Sequence, residues 1–437
     1  MQYIPNILFA ILLFIGVGFF TRNVKKLTRN IKLGKDVDRS DNKSERWKNM
    51  TMIALGQSKM VKRPIAGFLH IVVYIGFIII NLEVLEIVID GLFGTHRIFQ
   101  DVLGSTFYGF LIGSFEILAI AVLIAVIVFW IRRNVIKLKR FLSAEMKGWP
   151  KSDGNIILYF EVVLMTLFLV MNASDVHFQE AGVGNVISQY LYPLFEGNAD
   201  MAHIIERATW WIHIAGILVF LNYLYYSKHL HILLAFPNTW YANLNPKGQL
   251  TNDPNVTKEV KLMMDPNADP FAAPAEGEAE EEPAKFGASD VMDLNWVQLM
   301  NSYTCTECGR CTSACPANLT GKKLSPRKIM MDTRDRLEEV AKNIDANNGS
   351  FVDDGKSLLN DYITTEELWA CTSCNACVEE CPVNIDPLSI IIEMRRYLVM
   401  EQSAAPMELN NMMSNIENNG APWPYNQMDR LNWVNED

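Results

Sequence analysis

All eight cysteines of this 437-residue chain fall inside two short runs, CTECGRCTSACP at 305–316 and CTSCNACVEECP at 371–382. Both spell Cys-x2-Cys-x2-Cys-x3-Cys-Pro. That spacing lets three thiolates on a tight loop reach three corners of one iron–sulfur cubane, while the fourth cysteine points away and completes another cluster. Cys305, Cys308, Cys311 and Cys381 are therefore assigned to one [4Fe–4S] cluster, and Cys371, Cys374, Cys377 and Cys315 to a second. Pro316 and Pro382 break the chain after each fourth ligand and help free it from its own loop. Zinc sites usually show two separated pairs of ligands rather than four cysteines in one run. No cysteine remains for a disulfide framework, which fits a reducing compartment. No Cys-x-x-Cys-His run is present to attach a c-type haem. Two clusters with exchanged ligands lie close together, an arrangement suited to passing electrons and not merely to stapling a fold.

Histidine placement offers a second chemistry. His70 lies inside the second of five apolar runs; His213 lies in the fifth, and His229 and His231 follow the end of it. Neutral imidazole held between two helices is the usual axial ligand of b-type haem, and an ionisable residue within a bilayer is costly enough to mark function. The helical rise from His213 to His231 is about 27 Å, most of the hydrocarbon thickness. Depth thus pairs His70 with His231 or His229, and leaves His213 for a second haem. The second run offers His213 no partner, since Ile80 and Asn81 stand at that depth, so one haem b is favoured over two. Gly67 and Gly216, three residues from His70 and His213 on the same helix faces, would give a porphyrin room. The competing readings are snorkelling of His229 and His231 beside Lys228, and a hydrogen-bonded His213 beside Trp210 and Trp211. Among the acids, Glu83, Glu86 and Asp90 share a helix face, Glu116 lies deep in the third run and Glu161 in the fourth. Quinone reduction consumes protons, which makes Glu116 and then Glu83 the proton-relay candidates.

Helices must position these residues. Apolar runs at 4–20, 65–89, 105–131, 155–173 and 209–227 approach the roughly 20 residues that a bilayer core of about 30 Å requires. The first lacks a preceding basic region and a following cleavage site, and is read as a membrane helix rather than a signal peptide. Basic residues crowd the first loop, from Arg22 to Arg63, and the third, from Arg132 to Lys147, whereas the second and fourth hold only Arg97 and Arg207. The positive-inside rule then predicts an N-terminus outside a bacterial inner membrane and everything after 228 in the cytoplasm. Half the residues are hydrophobic, yet mean hydropathy is only +0.08, because nearly all long apolar runs precede residue 236. A formal charge of -10 argues against a nucleic-acid partner.

The expected organisation is a five-span membrane domain at 1–236, a surface segment with a flexible Ala/Glu/Pro linker at 237–286, a two-cluster domain at 287–402 and a tail at 403–437. Between the cysteine motifs, Ile329, Met330, Leu337, Val340 and Ile344 repeat at helical spacing after a Ser325–Pro326 start, and 388–399 reads as another helix. No strand pattern is evident. The fold class is all-α: a five-helix transmembrane bundle followed by an α-helical two-cluster ferredoxin domain.

With these residues in view, the five-span half, carrying His70, His213 and His231, resembles the haem b gamma subunit of respiratory nitrate reductase. That family uses four histidines, of which this chain matches three. The run YSKHLHIL at 226–233 and the twin cysteine motifs are similar to membrane iron–sulfur oxidoreductases related to heterodisulfide reductase and to its cluster subunit. The resemblance implies an electron-transfer subunit of a membrane-bound, quinone-linked oxidoreductase, with substrate chemistry on a partner. It further implies a separate cytoplasmic redox subunit bearing Cys-Cys-Gly motifs, which this chain lacks, or electron-transferring flavoprotein as donor. Lipid and quinone are the remaining partners. No GxGxxG run or P-loop is present for flavin, NAD or nucleotide. The alternative is a haem-free redox sensor or transport-coupled protein whose clusters report redox state.

Overall fold

The computed structural model describes residues 3–266 and 285–435. The apolar runs form five long helices, α1 (Ile4–Ile31), α2 (Pro64–Phe93), α3 (Ser105–Asn134), α4 (Trp149–Ser174) and α5 (Ala199–Tyr223). Each is long and apolar enough to cross a membrane. Three of them carry proline in the first turn, where its missing N–H costs no hydrogen bond. Consecutive helices pack side by side, and α1 closes the ring by lying against both α2 and α5. Large apolar side chains face outward, Phe14 at 81% and Phe110 at 75% exposure, a surface that lipid would cover. Phe9 pins the least enclosed helix, α1: its ring lies 5.4 Å from that of Trp210. A Cβ on Gly91 would come within 2.6 Å of the same ring.

Most of the remaining helices build a second body on one end of this ring. They include α6 (His231–Trp240), α7 (Trp296–Thr304), α8 (Arg310–Ala314), α9 (Pro326–Ala346), α10 (Ala376–Glu380) and α11 (Pro387–Met400). The residues spaced for a helix between the cysteine motifs do form the buried face of α9, from Ile329 to Ile344. Ser325 caps that helix by accepting the Lys328 N–H at 3.4 Å. Ile329, Leu337 and Val340 meet Ile390, Ile391 and Met394 of α11 in one core. Among the described residues there is no strand, only two isolated bridges.

This body is seated on the bundle and not merely strung from it. Lys35 N–H donates to Leu294 O at 2.8 Å, and Trp296 N–H returns a bond to Lys35 O at 3.0 Å. Asn30 at the end of α1 donates to the Tyr303 hydroxyl at 2.9 Å. Lys26 pairs with Asp345 at 3.0 Å, Lys62 with Glu379 at 2.6 Å and Arg63 with Glu380 at 3.0 Å. Basic residues of the first loop therefore serve the interface between the two halves as well as marking a membrane face. Two helices stand where the sequence pattern showed none: Pro254–Met264, capped by Asp253, and Met407–Asn419 in the tail. The Ala/Glu/Pro linker falls almost wholly at 267–284, outside the described residues.

Arg327 anchors the third loop to this body from a fully buried position, donating to Arg140 O and to Glu145, each at 2.6 Å. Removing one partner of a buried ion pair typically costs about 3–5 kcal/mol. Arg327→Ala should accordingly lower the thermal-unfolding midpoint of the detergent-solubilised protein; an unchanged midpoint would show that this contact does not hold the halves together.

Candidate redox centres

The two cysteine runs fold alike. A short helix closed by a capping box leads into each: Asn295 with Gln298 before Cys305, and Thr364 with Glu367 before Cys371. The chain then turns through two left-handed residues at matching positions, Glu307 and Gly309 in the first loop, Ser373 and Asn375 in the second, with φ between 53° and 70°. Backbone of this kind turns successive N–H groups inward, a concavity suited to an anionic cluster. Ser373 N–H donates to Cys371 Sγ at 3.4 Å and Ile385 N–H to Cys381 Sγ at 3.3 Å. Helices α8 and α10 follow and pack against each other, each carrying its third cysteine near its start and releasing the fourth just past its end.

That crossing brings the cysteines into two groups. Cys315, Cys371, Cys374 and Cys377 line one small cavity, walled by Leu324, Leu388 and Ile391. Cys311 feels Cys308, Cys305 and Cys381 most, and Cys377 of the other group after them, and Cys381 in turn feels Cys308. Each group thus takes three thiols from one run and the fourth from the other. All eight are free thiols. Among the described residues no three His, Cys, Asp or Glu converge as holders of a single metal ion; the first group surrounds a cavity, as a cubane would need. Burial pushes the Cys305 thiol up to about 12 and that of Cys381 to about 11, so a thiolate at either position needs bound metal to stabilise it. Exposure differs between the groups: the cavity group has one exposed member, Cys374, and one buried, Cys315, whereas the other has two buried members, Cys305 and Cys381, and none fully exposed.

The histidines divide similarly. His70 of α2 and His231 at the start of α6 face each other with ring centres 6.4 Å apart. A metal–imidazole bond of about 2 Å on each side, added to the distance from each nitrogen to its ring centre, fills such a gap. His231 Nδ1 is bonded to the Lys228 carbonyl at 3.1 Å, which fixes the ring and frees Nε2. His70 Nδ1 is buried with no hydrogen-bond partner. His229 lies 5.5 Å from His231 and 5.4 Å from Phe220. Burial lowers the imidazoles of His229 and His231, that of His229 to about 3, so they are neutral, the form that binds metal. His213 stands apart, nearly fully buried, with its ring 6.4 Å from that of Phe168 and its Nδ1 without a hydrogen-bond partner. The glycines do not serve a porphyrin as the sequence implied. A Cβ on Gly67 would come within 2.8 Å of Met60 O, and one on Gly216 within 3.0 Å of Leu164. Both exist for close approach of the protein's own chain.

Glu83, Glu86 and Glu116 lie toward the opposite end of the bundle. Glu116 accepts from Asn172 at 3.0 Å, Ile187 N–H at 2.7 Å and Ser188 N–H at 3.1 Å, and so staples α3 to α4 and the loop beyond. Tyr108 donates to Glu86 at 3.0 Å, and buried Arg97 reaches Asp175, Asn172 and Tyr108. Glu83 alone of this group has a buried oxygen without a partner. Glu161 is buried in α4. Neither Glu83 nor Glu116 adjoins the His70–His231 pair.

Sequence reasoning passed over the non-cysteine residues of the first loop. Arg310 donates to Lys59 O at 3.1 Å and Met60 O at 3.3 Å, at the approach to α2. Glu307, 3% exposed, joins Lys228 and also Arg334 at 2.8 Å. Burial opposes its charge, but the two cations outweigh burial and hold the carboxyl below its ordinary range. Only their location inside a cysteine motif could have drawn attention to them.

Fold and loops together define five helices long and apolar enough to cross a membrane, joined to a body whose two four-cysteine groups are spaced for iron–sulfur clusters. Residues 304–385 match the family of 4Fe-4S dicluster domains. Nearly the whole chain is similar to the probable iron-sulfur-binding oxidoreductase FadF of Bacillus subtilis, 29% identical over 98% of this chain and 61% of that protein. It is similar also to the EtfAB:quinone oxidoreductase of Syntrophomonas wolfei, 26% identical over 92% of this chain and 55% of that protein. A shorter stretch, 27% of the chain, is 30% identical to 60% of one component of the ferredoxin/F(420)H(2)-dependent CoB-CoM heterodisulfide reductase of Methanosarcina acetivorans. The chain therefore spans little more than half the length of the first two relatives. No solved structure matches.

Exchanged ligands make a distinctive expectation. Cys381→Ser and Cys308→Ser should leave the same residual cubane signal in the reduced EPR spectrum, with iron per chain roughly halved. If Cys381→Ser instead resembles Cys371→Ser, each run serves its own cluster.

Proposed function

We propose that the chain is the electron-transfer subunit of a membrane-bound, quinone-linked oxidoreductase. It conveys electrons between a separate cytoplasmic redox partner and the membrane quinone pool through two [4Fe–4S] clusters and one b-type haem. The observation that carries this reading is the His70–His231 pair, 6.4 Å apart, at the end of the bundle on which the cysteine loops are seated. Clusters and haem, when bound, supply one-electron carriers; the residues of this chain hold, space and insulate them. Cys305, Cys308, Cys311 and Cys381 would hold the cluster nearer the membrane, and Cys371, Cys374, Cys377 and Cys315 the one nearer solvent. His70 and His231 would supply the axial nitrogens, with the Lys228 carbonyl orienting His231.

Exposure orders the path. The group containing Cys374 reaches the surface and is where a partner would exchange electrons. The group containing Cys305 lies under Arg310, whose guanidinium touches the approach to α2. The name of one relative joins EtfAB to a quinone, and others belong to heterodisulfide reductase. These support either electron-transferring flavoprotein or a subunit with Cys-Cys-Gly motifs as the partner. The basic loops of the seated end support a cytoplasmic location for it.

A dithionite-minus-oxidised spectrum of the detergent-purified protein, with iron and haem quantified, tests this reading. A b-type α-band should appear, vanish in His70→Ala and His231→Ala, and persist in His213→Ala. Iron sufficient for two cubanes without any haem signal would overturn the haem-linked path.

A further inference from the structure

Two residues of the 305–311 loop grip the two segments that carry the imidazole pair. Arg310 holds Met60 O at 3.3 Å, and that same carbonyl packs on Gly67, where a Cβ would come within 2.8 Å. Gly67 stands one turn before His70. On the other side, Glu307 joins the Lys228 ammonium, and the Lys228 carbonyl is bonded to His231 Nδ1 at 3.1 Å. Lys228 is fixed further by Pro150 O at 2.6 Å and, through its backbone N–H, by Asp153 at 3.1 Å. Both members of the ion pair are buried, with side chains 9% and 2% exposed. An exposed pair would be screened and of little consequence; this one keeps its field.

We infer that Glu307 and Arg310 are positioning residues for the His70–His231 pair, and that the Lys228–Glu307 ion pair sets the potentials of both the haem and the cluster nearest it. The inference rests on the haem-linked path proposed above. A carboxylate beside Cys305 disfavours adding an electron there, and an ammonium one residue before His229 favours it; net charge and hydrogen bonding are among the levers that fix such potentials. The cluster held by Cys315, Cys371, Cys374 and Cys377 lies in a separate cavity and serves as an internal reference.

Redox potentiometry on the full-length protein, following the haem α-band and the EPR signals of both clusters, tests the inference. Glu307→Gln removes a negative charge and should favour the reduced haem and nearer cluster about tenfold, an upward shift of about 59 mV for a one-electron couple. Lys228→Met should move both downward by a similar factor. The reference cluster should stay within a few-fold of wild type in each variant. Opposite signs are the signature of charge, because mere loosening of the interface would move both variants the same way. Arg310→Gln should leave the Glu307–Lys228 pair in place and alter the low-spin haem EPR spectrum by changing imidazole orientation. Should Glu307→Gln fail to retain its clusters, two single variants decide the matter: Lys228→Met should still lower both potentials, and Glu307→Asp, which keeps the charge, should leave them at wild-type values. Haem present with shifts of equal sign, or with none, overturns this inference alone; absence of haem from the wild-type protein overturns the proposed path and this inference with it.

Discussion

The meeting of Glu307 with Lys228 and Arg334 is the contact on which the two halves of the molecule depend. One carboxylate, turned inward by a left-handed residue, satisfies two cations from different bodies: the loop after α5 and the long helix α9. Desolvating three charges is expensive, and only complete pairing offsets the cost. Pairing here is complete, because Lys228 also reaches Pro150 O. Around this point the chain could not shift by a residue without stranding a buried charge. Seating of the cluster domain is thereby made unique, where an apolar interface of similar extent would tolerate sliding.

The opposite end of the bundle solves a like problem by the same means. Arg97 is buried among Asp175, Asn172 and Tyr108, with its guanidinium over the Phe178 ring at 4.0 Å. Glu116, three times bonded, fixes α3 against α4. In a bilayer the helices gain nothing from hydrophobic contact with one another, and such polar junctions supply part of what holds them. Between the two polar ends lies the apolar packing of Ile112, Phe115, Phe168 and Ile214. The bundle is thus clamped at both mouths and packed in the middle.

Much of this was legible in the sequence, for identifiable reasons. Five spans announce themselves because lipid demands about 20 apolar residues each, and the cysteine runs because cubane geometry fixes their spacing. The face of α9 follows from its 3.6-residue period. What escaped was long-range in sequence and short-range in space. Glu307 and Arg310 occupy the unspecified positions of a cysteine motif, and their partners lie at Lys228 and Met60. Gly67 and Gly216 read as room for a ligand, yet the neighbour each accommodates is protein backbone or Leu164. No periodicity reveals such contacts. The depth of Glu116 suggested a carboxyl kept for proton transfer, whereas three N–H donors from distant residues already occupy it. Helices at Pro254–Met264 and Met407–Asn419 carry no apolar stripe that buries, so the pattern that finds core helices was blind to them.

The burial of Cys305 and Cys381 beneath the bundle bears on how the molecule is made. In the group that would hold one cubane, Cys305 and Cys381 are buried and Cys308 and Cys311 half-buried, beneath a loop that Arg310 and Glu307 seat against α2 and the end of α5. Iron and sulfide would reach these thiols more freely while the C-terminal body is still apart from the membrane helices. Loading of the loops would on that geometry precede their closure onto the helices.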